Sequence, residues 1–170
     1  MSGGRHGVAP TDVAESLVIA APAERVWAVL SDTGRYAEWV ESCREVTYHH
    51  GEAALGGVYK EVGHGLGPLP VHTTWRVAEI GAGDGRWYRR DTGTGMPLVS
   101  ELESIFEVEA TPQPAAAATR FTWRNRYRPA LGPLGRRIDA LQQGELRAMM
   151  RRSMARLAEI VVTESGTEAT

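Results

Sequence analysis

Apolar and polar positions alternate along most of this chain, and the period changes to a helical one in only two places. "DVAESLVIA" (12–20) is rich in β-formers and is bounded by Asp12 and Pro22, which predicts a strand. "APAERVWAVL" (21–30) then shifts period. Val26, Val29 and Leu30 follow helical spacing, Pro22 suits a first turn, and Glu24 places a carboxylate near the helix N-terminus. "SDTG" (31–34) breaks that helix with cap and turn residues, and "RYAEWV" (35–40) resumes it for about two turns. The pattern predicts two short helices back to back rather than one long one.

Alternation returns in the middle. Strands are predicted at 44–50, 58–64, 71–80, 86–92, 98–110 and 119–129, separated by Gly- and Pro-rich turns such as "GLGPLP", "GAGDG" and "TPQPAAAA". With no helices between them, these strands predict an antiparallel sheet. From Leu131 to Val162 the helical period is sustained through Leu134, Ile138, Leu141, Met149, Leu157 and Ile160. A helix of that length spans about 45 Å, and Gly144 marks a candidate bend.

Alternation also assigns faces. On the last strand Phe121, Trp123, Asn125 and Tyr127 share the inward side, and Thr122, Arg124, Arg126 and Arg128 the outward one. Tyr59, Glu61 and Gly63 group together, as do Thr73, Trp75 and Val77, and Leu102, Ser104, Phe106 and Val108. A register slip of one residue would invert every one of these sets.

Composition narrows the class. The 170 residues carry a formal net charge of -2, so no global field favours nucleic acid. Lys60 is the only lysine, and the arginines at 136, 137, 147, 151, 152 and 156 decorate the long helix. They read as a solvated face whose stems cover apolar surface; a nucleic-acid helix is the sharper alternative, which Glu145 and Glu159 dilute. Cys43 is alone, which excludes an intrachain disulfide. No stretch approaches the roughly 20 apolar residues of a membrane span, and "MSGGRHGVAP" lacks the apolar run of a secretory signal. The expectation is a cytoplasmic protein, monomeric or homodimeric, with one domain at 12–163 between flexible ends at 1–11 and 164–170. No phosphate loop, nucleophile elbow or metal-ligand spacing is present, so neither cofactor nor metal is called for.

The order is strand, two short helices, six strands, one long helix. Together with "APAERVWAVLSD…YAEWV", "WRVAEI" (75–80) and "TRFTWRNRYRP" (119–129), it resembles the polyketide cyclase/dehydrase and lipid-transport branch of the START-like superfamily, over about residues 13–162. The resemblance implies an α+β helix-grip fold: a curved seven-stranded antiparallel sheet wrapped around the C-terminal helix, with a cavity between them. Members of that superfamily include carriers, cyclases and proteins that act on other proteins, so the fold alone does not choose among them.

Three functions follow as expectations. The first is enclosure of a hydrophobic small molecule, polyketide- or lipid-like. The second is aldol cyclisation or dehydration of such a molecule, with Glu61 as general base and Asn125 as oxyanion donor. The third is a protein-interaction module, which a filled cavity would favour. For Glu61 a structural pairing with an arginine stands beside the catalytic role. Expected ligand contacts are Trp39, Tyr59, His72, Trp75, Arg89, Phe106, Trp123, Tyr127 and Met150. Core packing is the competing reading for Trp39 and Met150, and a salt-bridged surface for Arg89. His64 and His72 flank a loop placed near the cavity mouth.

Overall fold

In the computed structural model, residues 9–64, 69–111 and 117–167 are described. Most of the "GLGPLP" turn and of the "TPQPAAAA" link lies outside them. Seven strands form one sheet: β1 Thr11–Ile19, β2 Cys43–Tyr48, β3 Val58–His64, β4 Pro70–Gly83, β5 Arg86–Thr94, β6 Val99–Thr111 and β7 Ala118–Pro129. The order across the sheet is β1-β7-β6-β5-β4-β3-β2, antiparallel at every step. Only the β1–β7 step joins strands distant in sequence, and the two short helices and the long one cover the inner face. This is the helix-grip architecture.

Bulges curve the sheet. Ala78 has no opposite partner in β5, so the pairing jumps from Val77–Asp91 to Glu79–Arg90, and further irregularities interrupt β2–β3 and β6–β7. Each extra residue bends its strand and deepens the concavity. Asp84 and Gly85, both at positive φ (52° and 72°), make the β4–β5 turn. An Asp-Gly pair adopts that conformation readily and matches the twist of the strands it joins.

Helix α1 (Ala23–Ser31) starts one residue after Pro22, whose carbonyl accepts the first helical bonds from Arg25 and Val26. It ends at Asp32, whose carboxylate accepts from the Gly34 amide and turns the chain into a single 3₁₀ turn, Thr33–Arg35. Helix α2 (Tyr36–Trp39) is only one turn, shorter than its pattern predicts. Tyr36 and Trp39 are both buried, so packing rather than helix propensity holds this segment. Helix α3 (Gly132–Thr167) runs unbroken through Gly144, where the pattern allowed a bend. Met150, Met154, Leu157 and Val161 form its buried stripe, at the spacing of one helix face.

The face assignments hold. Phe106, Phe121 and Trp123 form an aromatic floor, with the Phe106 ring 5.9 Å from Trp123 and 6.4 Å from Phe121, and α3 lies over it. The α3 arginines tie the helix down. Arg147 and Arg151 reach Glu15 of β1, and Arg152 grips Glu41 through two bonds of 2.8 Å and Glu145 at 2.7 Å. This is the expected solvated face, fastened at its edges by ion pairs.

Candidate functional site

Beyond the aromatic floor the sheet and α3 diverge and leave a cavity of about 820 Å³. That is within the usual size of a small-molecule site, roughly 300–1,000 Å³. Strands β3, β4, β6 and β7 supply one wall through Glu61, Trp75, Leu102, Ser104, Trp123, Asn125 and Tyr127. The inner face of α3 supplies the other through Ile138, Asp139, Gln142, Leu146 and Met149. The β5–β6 and β7–α3 loops form the rim, with Leu98 and Leu131.

The polar groups in these walls differ in how fully they are bonded. Asp139 is saturated: it accepts from Tyr127 Oη at 2.5 Å, Thr11 Oγ1 at 2.7 Å and Gln143 Nε2 at 3.0 Å. It clips α3 to β1 and β7 rather than waiting for a ligand. Burial, then the Asp139 carboxylate, push the Tyr127 phenol up, so this hydroxyl stays a donor. Ser104 Oγ accepts from Trp123 Nε1 at 2.8 Å, which fixes the indole in the wall. The Asn125 amide has no hydrogen bond among the described residues, although the residue is buried.

Glu61 is the strongest chemical feature. It is 9% exposed. Trp75 Nε1 donates to Oε1 at 2.9 Å, and Oε2 is buried with no partner. Burial pushes the carboxyl up, while the Trp75 indole and the Cys43 thiol beside it pull it back. The native state therefore holds this proton to higher pH than the unfolded chain does, and stability falls as pH rises through that window. Glu61→Gln should consequently gain on the order of 1 kcal/mol over the wild type at neutral pH, because an unpartnered buried oxygen no longer carries charge. Below about pH 4, where the unfolded carboxylate is itself protonated, the difference should vanish. Urea unfolding of both proteins at the two pH values reads it; a variant less stable at neutral pH would mean that the charge is compensated. Other titrating groups are common to both chains and cancel.

Behind this wall lies a second polar cluster. Arg89 and Asp91, both 0% exposed, pair at 3.0 Å. Arg89 also donates to the Leu30 carbonyl at the end of α1 (2.9 Å) and to Tyr36 Oη on α2 (2.7 Å), and Tyr59 Oη donates to Asp91 (2.7 Å). The guanidinium carbon lies 4.6 Å from the Phe106 ring centroid. Burial pushes the Asp91 carboxyl up, and Arg89 and the Tyr59 hydroxyl oppose it. We take the pair as ionised, because a neutral Asp91 would leave an always-charged guanidinium buried alone.

Of the eleven residues expected to act on a ligand, Glu61, Asn125, Trp75, Trp123 and Tyr127 line the cavity. The other six do not. Trp39 and Phe106 are fully buried core, and Tyr59 and Arg89 belong to the cluster just described. His72 lies on the outer face, because alternation turns Val71 and Thr73 inward; His64, also exposed, does reach the rim. Met150 points into the core and Met149 faces the cavity, a difference of one residue and about 100° around the helix. Glu61 and Asn125 sit four strand steps apart, about 19 Å along the sheet, so they face opposite sides of the concavity rather than one bond. Asp139 and Gln142 escaped the sequence reading. The available signal was their polarity within a helix face that otherwise reads Ile138, Leu146, Met149.

Among the described residues no helix is long and apolar enough to cross a membrane, and no three His, Cys, Asp or Glu converge as metal ligands. Among solved structures, norcoclaurine synthase from Thalictrum flavum is similar at 14% identity and a TM-score of 0.64, over 93% of this chain and 97% of that one. The Zhui aromatase/cyclase from Streptomyces sp. R1128 is similar at 19% identity and 0.61, over 95% and 96%. A conserved protein from Geobacillus kaustophilus is similar at 14% and 0.61, over 90% and 96%. At such identities these likenesses speak to the fold. No curated protein matches the sequence. The profile for polyketide cyclase / dehydrase and lipid transport proteins matches residues 10–162, and the chain belongs to that family.

Proposed function

We propose that this protein encloses a hydrophobic small molecule, polyketide- or lipid-like, in the cavity between sheet and α3. The observation that carries the reading is the cavity itself. It is about 820 Å³, walled by Trp75, Trp123, Leu102, Leu146 and Met149, with Glu61 and Asn125 left short of hydrogen bonds within it. Apolar walls supply affinity, and a few unsatisfied polar groups orient the guest. Their separation along the sheet favours an elongated molecule with oxygens at both ends. Open space of this size speaks against the interaction-module reading, which a filled cavity would have favoured.

A second reading, cyclisation or dehydration of such a molecule, draws on Glu61. Its unpartnered oxygen and raised pKa suit removal of a proton α to a carbonyl, with the electron pair passing to the carbonyl oxygen as an enolate. Water exclusion and alignment would come from the walls. Two proteins of similar fold, a norcoclaurine synthase and an aromatase/cyclase, are compatible with either reading.

Native mass spectrometry of freshly purified protein tests the binding reading, together with displacement of an anilinonaphthalene dye. A reproducible added mass, lost on denaturation, is expected, as is dye uptake that Leu146→Trp abolishes by filling the cavity. Protein that carries no ligand and takes up no dye would defeat the proposal. Turnover that Glu61→Gln removes without loss of binding would favour the catalytic reading.

A further inference from the structure

The rim of the cavity carries an exposed apolar band that the interior does not need. Leu98 is 45% exposed, Leu131 58%, Leu134 60% and Leu141 86%. Leu98 and Leu131 sit at φ 62° and 65°, a left-handed conformation that leucine adopts rarely. Two such residues persist only where the surroundings impose them. The imposing contacts are visible: the Ala130 amide donates to the Leu98 carbonyl at 2.8 Å, joining the two loops, and any side chain at Gly135 would collide with the Ala130 carbonyl. The loops therefore hold both leucines at the rim. On α3, Leu134, Ile138 and Leu141 continue the band along one helix face, with Ile138 turned into the cavity.

Charge flanks this band asymmetrically. Arg137, three residues after Leu134 and four before Leu141, lies beside the band; it is exposed and makes no ion pair or hydrogen bond among the described residues, whereas Arg136, two residues from Leu134 and Ile138, falls on the far side of the helix. The acidic groups nearby are already engaged: Asp139 by its three donors, Glu145 by Arg152 and Glu101 by Arg128. The local balance is positive although the whole chain is at -2.

We propose that this leucine rim, with Arg137 beside it, docks the cavity mouth onto an anionic lipid bilayer. Leucines that enter the interface beside cations that meet phosphates are the usual composition of a peripheral membrane face. Four leucines expose far less than the roughly 800 Å² per partner of a stable protein interface, whereas a bilayer requires no complementary shape. Because Leu98, Leu131 and Ile138 are both rim and cavity wall, docking would open the cavity toward hydrocarbon rather than water. The surface stands independently of what the cavity holds.

Vesicle flotation of the full chain tests this, with phosphatidylcholine vesicles made with and without phosphatidylglycerol. Partitioning to the anionic vesicles is expected, with little to phosphatidylcholine alone. Arg137→Gln should weaken it about fivefold. Leu134→Gln with Leu141→Gln should weaken it about tenfold or more, and both leucines are exposed enough for the fold to survive. Failure of the wild type to float with anionic vesicles overturns the proposal. So does undiminished partitioning of Arg137→Gln or of the leucine double variant, or equal partitioning to both vesicle types.

Discussion

Arg89→Met should destabilise the protein by about 3–5 kcal/mol, read as a fall in urea midpoint at an unchanged slope. The guanidinium is the only cation facing Asp91 in the described interior, and its removal leaves a fully buried carboxylate with one hydrogen bond, from Tyr59. It also removes the donor to Tyr36 and the tie to the last turn of α1. Deleting both charges should therefore be milder than deleting one. Arg89→Met with Asp91→Leu should recover much of the loss, because neither buried charge then lacks its partner. Recovery should stay incomplete: the Tyr36 and Tyr59 hydroxyls lose their partners, and each unsatisfied buried group costs roughly 1–3 kcal/mol. A single variant that costs less than 1 kcal/mol would show that the interior solvates Asp91 by itself.

This cluster shows where the sequence was legible and where it was not. Period-2 alternation placed Phe121, Trp123, Asn125 and Tyr127 on the concave face, and the structure buries the first three and half-buries the last. The sequence leaves Arg89 as a ligand contact or a salt-bridged surface residue, and the structure instead buries it against Asp91. Its direction follows from the unbroken pairing of β5 with β6, which sets Arg89 opposite the inward Phe106 and Asp91 opposite Ser104. Arg89 and Asp91, two apart on one strand, were readable as a same-face pair. Their neutralisation is why Arg89 is not an anion clamp for a ligand. On α3 the helical period gave the helix but not its buried face: of Leu134, Ile138, Leu141, Met149, Leu157 and Ile160 only Leu157 is buried, the core stripe runs through Met150, Met154, Leu157 and Val161, and Met149 and Met150 exchange roles. The rim leucines were invisible for another reason: Leu98 and Leu131 sit in loops whose left-handed backbone comes from tertiary contacts, and no local residue preference announces it.

Trp39→Ala should cost about 3–5 kcal/mol, the usual range for a buried large aromatic. The ring is fully buried, edge-on to Trp123 at 5.6 Å, to Phe106 at 6.3 Å and to Phe121 at 6.4 Å, and it touches Tyr36 at 5.1 Å within its own helix. One turn of helix is too short to hold itself in water, so these contacts keep α2 in place. Trp39→Phe separates two possible causes. The indole Nε1 is buried with no hydrogen-bond partner, so its removal relieves a penalty of roughly 1–3 kcal/mol. The smaller ring leaves a void whose cost is on the order of 1 kcal/mol. The two effects nearly cancel, and Trp39→Phe should lie within about 1 kcal/mol of the wild type. Equal losses in the Phe and Ala variants would mean that the indole nitrogen is bonded in solution, and ring area alone would not explain the hold on α2. The consequence reaches the cavity through Tyr36, which α2 carries into its wall and onto Arg89. A variant that frees α2 should therefore lose dye uptake along with stability, while Trp39→Phe keeps both.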